Sequence, residues 1–206
     1  MIQKLYFHNF IKASIISLVA AIILFYFSFT LGKHPFFLLL NNNLGIVADY
    51  FFKFYTHFGD GTIWAILLFL FIKFNKKYIP FLIAAFILCT LLVQVCKYVI
   101  LPNEPRPIAA IQPTSLIHTV QGVEPHTIST FPSGHTAAAF CFFFIASLFI
   151  HKKWIIPVGF LYAILVGYSR VYLAQHFPFD VAAGIVTAII AISFSIFIQK
   201  IFEKKK

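Results

Sequence analysis

Ser169, Arg170, His176 and Asp180 fall within twelve residues and bring together a fixed cation, an imidazole and a carboxylate. Imidazole titrates near neutral pH and serves as nucleophile or as acid and base. Asp180 can accept a hydrogen bond from His176 and fix its tautomer, which frees the other ring nitrogen to attack phosphorus. Two further clusters suit the same chemistry. Pro132-Ser133-Gly134-His135 offers a second imidazole beside a Ser suited to helix capping and a Gly that lets backbone N–H groups approach a ligand. Lys97 and Arg106-Pro107 add two cations, and the planar fork of Arg matches phosphate oxygens. Lys97, Arg106, Ser133, Gly134 and Arg170 thus read as an oxyanion cradle. His135 and His176 supply an acid and a nucleophile, with Asp180 as orienter. Taken singly, each group has a structural reading: an interfacial His, an Arg170–Asp180 pair, a plain helix start at Ser133. Three clusters suited to one anion favour the site.

The elements that must position these residues are apolar. The chain is 61% hydrophobic and only 11% charged over 206 residues, which excludes a soluble domain and indicates an all-α integral membrane protein of one domain, residues 1–206. Six apolar segments are predicted to span: Ala13–Leu31, Thr62–Phe74, Tyr78–Cys96, Thr136–Ile150, Trp154–Tyr168 and Val181–Ile198. Several fall short of the ~20 residues a span needs, so their helices should extend into the flanking motifs. No A-x-A cleavage site follows the first, which reads as a retained helix. Pro178 places His176 in a turn and Asp180 in the first turn of the last helix.

A net charge of +10 raises nucleic acid as a partner, but no basic patch alternates with aromatic residues, and the Lys residues lie between apolar runs where they set topology. With both termini cytoplasmic, Lys4, Lys12, Lys73, Lys76, Lys77, Lys152, Lys153, Lys200, Lys204, Lys205 and Lys206 face inward. Lys33, Lys53, Lys97, Arg106 and Arg170 face outward. That is eleven against five, the sign of the positive-inside rule. It puts all three polar clusters on the outer side.

Two long connections share that side. Gly32–Gly61, aromatic and interrupted by polar residues, reads as a segment lying in the interface between helices 1 and 2. Asp60-Gly61-Thr62 reads as a helix cap, with contact of His57 and Asp60 to a head group as the alternative. Lys97–Phe131 is Pro-rich and reads as a loop. Its His118, His126, Glu104 and Glu124 read as solvated, with tuning of substrate choice as the alternative. His8, His34 and His151 read as interface residues, and Cys89, Cys96 and Cys141 as reduced packing residues. Binding of a metal by His135, His176 and Asp180 is opposed by the three cations and by the lack of nearby Cys or an H-E-x-x-H sequence. No metal or cofactor is expected.

These motifs resemble those of the type 2 phosphatidic acid phosphatase family of integral membrane lipid phosphatases. Its third motif, S-R-x5-H-x3-D, matches Ser169-Arg170…His176…Asp180, and its second, P-S-G-H, is Pro132 to His135. The first is commonly K-x6-R-P. Here eight residues separate Lys97 from Arg106, and Lys97 is the only Lys between Lys77 and Lys152. The resemblance implies a phosphohistidine on His176 oriented by Asp180, a proton from His135 to the leaving group, and phosphoryl oxygens held by Lys97, Arg106, Ser133, Gly134 and Arg170, without metal. It implies lipid phosphate substrates such as undecaprenyl diphosphate, phosphatidylglycerol phosphate or phosphatidic acid, with lipid A phosphates or phosphotransfer to an alcohol as alternatives. It also implies a cell-envelope setting, in a bacterial inner membrane. Membrane lipids are the expected surroundings; neither nucleic acid nor an obligate protein partner is expected. A non-enzymatic lipid-phosphate transporter would need the cations but not a nucleophile with its orienter.

Overall fold

The computed structural model describes residues 6–204, and among them every regular element is helical. Lys4, Lys205 and Lys206, assigned above to the inner side, lie outside the described residues. In chain order the helices are α1 (Phe7–Thr30), α2 (Lys33–Leu40), α3 (Ile46–Tyr55), α4 (Thr62–Phe74), α5 (Ile79–Val95), α6 (Pro107–Ala110), α7 (Gly134–Phe149), α8 (Ile155–Tyr172) and α9 (Pro178–Lys204). A 3₁₀ turn, Thr56–Gly59, joins α3 to the approach of α4, and a π turn, Cys96–Ile100, extends α5. Pro80 and Pro178 occupy the first turns of α5 and α9, where a missing N–H costs nothing.

Helix α7 is the centre of the bundle. It packs on α8 and α9 and also meets α1 and α5. Phe140, Phe143, Phe144 and Leu148 are fully buried along it. Helix α9 approaches α7 closely because Gly184 carries no side chain: a Cβ there would lie 2.7 Å from the Ser133 carbonyl oxygen. Ile11, Ile15, Ile22 and Phe29 of α1, with Phe194 and Phe197 of α9, expose apolar side chains outward. Such a surface suits lipid and not water.

Four helices are each long and apolar enough to cross a membrane: Phe7–Thr30, Lys76–Ile100, Ile155–Tyr172 and Pro178–Lys204. The pair Ile46–Gly59 and Thr62–Phe74, bent by 48°, can serve together as a fifth. Helix α7 has 16 residues, about 24 Å at ~1.5 Å per residue, short of a ~30 Å hydrocarbon core. Its neighbours rather than lipid cover most of its surface, so its length is set by packing. The helices do extend into the polar motifs: α8 runs past Tyr168 through Ser169 and Arg170, and α9 begins three residues before Val181. The Gly32–Gly61 connection is built of α2, α3 and the 3₁₀ turn. Helix α2 packs on α8 and α9, and α3 packs on α8 while exposing Ile46, Val47, Tyr50 and Phe54.

Candidate active site

Backbone hydrogen bonds bring the second and third motifs together. The Ser133 amide donates to the Asp180 carbonyl at 3.0 Å, which ties the start of α7 to the first turn of α9. After α8 the chain reverses through Ala174, whose φ of 54° lies in the left-handed region. The Gln175 and His176 amides then donate back to the Arg170 carbonyl at 2.9 and 3.1 Å. His176 therefore sits in a turn and Asp180 in the first turn of the last helix. Ser133 caps α7: its hydroxyl accepts from the Thr136 amide and, at 2.8 Å, from the Thr136 hydroxyl.

His176 is 2% exposed and Asp180 fully buried. The direct hydrogen bond expected between them is not made. His176 Nδ1 lies 3.6 Å from Asp180 Oδ2, too long for that bond. Thr130 fills the gap: its hydroxyl donates to Asp180 Oδ2 at 2.5 Å and lies 3.3 Å from His176 Nδ1. The Phe177 amide donates to the same carboxylate oxygen at 2.9 Å, which holds the carboxylate in place. A proton on Nδ1 satisfies the Thr130 hydroxyl and leaves Nε2 as the basic nitrogen. Burial, followed by the charges of Arg106, Arg170 and Lys97, holds the His176 imidazole well below its ordinary pKa. Such a setting favours the neutral imidazole.

The Nε2 face of His176 meets Arg106, whose Nη1 lies 3.4 Å away. Arg106 is fixed by donation to the carbonyls of Gln175 at 2.8 Å and Ile128 at 2.8 Å. Arg170, 7% exposed, donates through Nη1 to the Thr56 hydroxyl at 2.5 Å, while its buried Nε has no partner among the described residues. Such a donor is suited to an anion's oxygen. Lys97 is half-buried, and its ammonium lies within the fields of Arg106, Asp180 and Arg170. Two more residues separate it from Arg106 than the common spacing of the first motif. The π winding of Cys96–Ile100 and a turn through Asn103 at φ 60° take up this length, and a π turn is a frequent way to carry inserted residues near a site.

His135 is arranged differently. Its Nε2 lies 2.6 Å from Asp60 Oδ1, and Asp60 Oδ2 lies 2.7 Å from His57 Nδ1. Asp60 therefore does not cap α4 with its side chain, as its position before Thr62 suggested: Gly61 takes the N-cap position with no side-chain hydrogen bond. The carboxylate faces across to α7 instead. Sequence reasoning missed Thr56 and Thr130 altogether. Their hydroxyls carry no spacing signal, and only the fold brings them to Arg170 and Asp180.

In the 97–131 loop Glu124 and His126 are exposed, as their solvated reading expects, but His118 is not free in solvent. His118 Nε2 lies 2.9 Å from Asp49 Oδ1, its side chain is only 11% exposed, and Tyr172 Oη donates to the same Asp49 oxygen at 2.6 Å. Asn41 donates to the carbonyls of His118, Val171 and Tyr172 and accepts from the His118 amide. This network fastens the loop to the end of α8, directly beside the turn that carries His176. Glu104 pairs with Lys33 at 2.9 Å. His34, an exposed residue, stacks on Phe177.

An all-helical bundle with apolar outer faces, gathering two histidines, a buried carboxylate and three cations at one end, has the layout of an integral membrane lipid phosphatase. Residues 79–205 match the PAP2 superfamily, and the chain belongs to it. It is 32% identical over 151 residues to an undecaprenyl-diphosphatase of Sulfolobus acidocaldarius, covering 72% of this chain and 69% of that one. It is 39% identical over 88 residues to the undecaprenyl-diphosphatase BcrC of Bacillus subtilis, covering 42% and 41% of the two chains. The crystal structure of Aquifex aeolicus LpxE superposes with a TM-score of 0.68 at 33% identity, covering 78% of this chain and 92% of that chain. The protein is an enzyme that releases phosphate from lipid phosphates or diphosphates.

Proposed function

We propose that this enzyme hydrolyses a lipid-linked phosphate or diphosphate at the outer face of a bacterial inner membrane, without metal, through a phosphohistidine on His176. The carrying observation is the two-sided setting of His176: Nδ1 turned to Thr130 and Asp180, Nε2 turned to Arg106. Nε2 attacks phosphorus while the bond to the leaving oxygen breaks, and His135 gives that oxygen a proton. Water then attacks the phosphorus, the P–N bond breaks with its electron pair returning to His176 Nε2, and His135 takes a proton from the water. Lys97, Arg106 and Arg170, with the Ser133 hydroxyl and the Gly134 amide at the start of α7, hold the phosphoryl oxygens as charge develops on them. Asp180 acts on His176 through the Thr130 hydroxyl.

Among lipid phosphates we favour a prenyl diphosphate of the undecaprenyl type, in keeping with the named activity of the Sulfolobus and Bacillus relatives. Phosphatidylglycerol phosphate, phosphatidic acid and lipid A phosphates are the competing substrates. The tail stays in the bilayer. An apolar groove of about 280 Å³ between α4 and α5, lined by Trp64, Leu68, Leu82, Ile83 and Phe86, begins at Gly61 beside Asp60 and offers it a path. In this reading α1, α4, α5, α7, α8 and α9 are the six spans, the termini are cytoplasmic, and α3 with its exposed aromatic residues rests in the outer interface. The eleven-to-five division of cations supports that orientation.

The test is phosphate release by purified protein across a panel of these lipids, with and without chelator and with a His176→Ala control. Preference for the prenyl diphosphate, indifference to chelator and loss of turnover in the variant are expected. Strong inhibition by chelator, or turnover by the variant near that of the parent, would overturn the mechanism.

A further inference from the structure

We propose that the Thr56–Asp60 turn is a fourth component of the catalytic site, with Asp60 as the positioning residue for His135 and Thr56 as the positioning residue for Arg170. This inference rests on His135 being the proton donor. The turn lies outside all three motifs, and two of its side chains reach motif residues on two different helices. Asp60 Oδ1 is 2.6 Å from His135 Nε2 at the start of α7. The Thr56 hydroxyl accepts from Arg170 Nη1 at 2.5 Å near the end of α8. Between them Gly59 is pressed against both helices. A Cβ there would lie 2.6 Å from Val166 Cγ1 and 2.9 Å from the His135 carbonyl oxygen, so the close approach requires glycine. His57, whose Nδ1 lies 2.7 Å from Asp60 Oδ2, holds the carboxylate from its outer side.

The pairing assigns the two nitrogens of His135. Nε2 keeps its proton on Asp60 throughout. Nδ1 is then the nitrogen that exchanges a proton: it donates to the leaving oxygen as the P–O bond breaks, and it takes a proton from water as the P–N bond breaks. The ionisable groups around His135 are Asp60 on the turn, Arg170 on α8, Lys97 at the end of α5 and His176 in the turn after α8, with His57 behind Asp60. Of these, Arg170 and Lys97 favour the neutral imidazole. Among the described residues Asp60 is the one carboxylate in direct contact with it, and that carboxylate favours the imidazolium and fixes the ring's direction.

A general acid matters in proportion to how poor the leaving group is. The experiment therefore compares kcat/KM for an alkyl lipid phosphate and for 4-nitrophenyl phosphate, in the parent enzyme and in Asp60→Asn, Asp60→Glu and His135→Ala. For Asp60→Asn, a loss on the order of 10²-fold is expected on the alkyl substrate, and less than about threefold on the aryl substrate, which departs without a proton. Asp60→Glu should restore part of the alkyl activity. Equal losses on both substrates, or no loss on the alkyl one, would overturn the role of Asp60. His135→Ala separates this failure from that of the mechanism beneath it. If His135→Ala spares the aryl substrate while Asp60→Asn does not, only the Asp60 assignment falls. If His135→Ala lowers both substrates alike, the proton-donor assignment itself falls.

Discussion

The two histidines of the site are held in opposite ways. His176 is sealed in the floor of the bundle, reached by its carboxylate only through a threonine hydroxyl, and its partners Thr130 and Asp180 are fully buried. His135 stands at the rim with its side chain 32% exposed, in direct contact with a carboxylate that is itself 33% exposed. The difference fits the two tasks proposed for them. A nucleophile forms a bond to phosphorus and must be neutral, fixed and shielded from protonation. A proton donor must trade protons with a leaving group and then with water, so access and a nearby negative charge serve it. The two imidazoles thus differ in burial and in whether a carboxylate touches the ring.

This contrast can be broken experimentally, and the largest effect falls on the floor. His176→Ala should abolish phosphate release and any acid-labile phosphoenzyme while leaving the protein monodisperse in detergent; a phosphoenzyme surviving in that variant would remove the nucleophile assignment. At the rim, His135→Ala should retain trace turnover, lowered by about 10²- to 10⁴-fold on an alkyl lipid phosphate, and single-turnover measurement should show slow phosphoenzyme formation. Thr130→Val tests the hydroxyl between His176 and Asp180. Loss of one buried hydrogen bond, at about 1 kcal/mol with an added cost for the orphaned partner, should lower kcat about tenfold with little change in KM. Activity equal to that of the parent would mean that Asp180 acts without Thr130.

Smaller effects sharpen the comparison. Gly59→Ala forces a Cβ against Val166 and the His135 backbone. Overpacking of this kind costs about 1–3 kcal/mol and should appear as a lower melting temperature together with reduced activity. The smallest response should be that of His176 to pH. Its pKa is held below the ordinary value by burial and by Arg106, Arg170 and Lys97, so lowering pH through about 6.5, the usual histidine value, protonates it in the unfolded chain and not in the folded one. Acid therefore weakens folding stability as the pH falls below that point, while the nucleophile itself stays neutral. An NMR titration should show no His176 transition near pH 6.5 in the substrate-free protein; a transition there would place the ring in solvent.

Much of this layout was legible in the chain. Apolar runs separated by lysines gave the helices, because a helix that buries no polar side chain along most of its length needs no partner-specific information to form in an apolar setting. Thr62–Phe74 appears as α4 with those same ends. The spacing around Pro178 placed His176 in a turn and Asp180 in a helix start because proline restricts the residue before it. Asp60 was read as a helix cap, or with His57 as a head-group contact, but not as a partner of His135. Its position before Thr62 invites a local capping reading, and a local reading cannot see that Gly59 lets the turn lie against α7. His118 was misread for the same reason: a loop histidine looks solvated until Asp49 and Tyr172 close around it.

The sequence by itself determined the class of chemistry and the apolar medium, since residue types and short spacings fix which groups exist and which of them share a turn. Only the tertiary structure decided who touches whom. Thr56 meets Arg170 from 114 residues away, and Thr130 meets Asp180 from 50. The physical reason is one of range. Backbone preference and capping act over a few residues, whereas a hydrogen bond between helices depends on how closely they pack. Here that distance is set by the glycines at 59 and 184, and by the buried rings of α7.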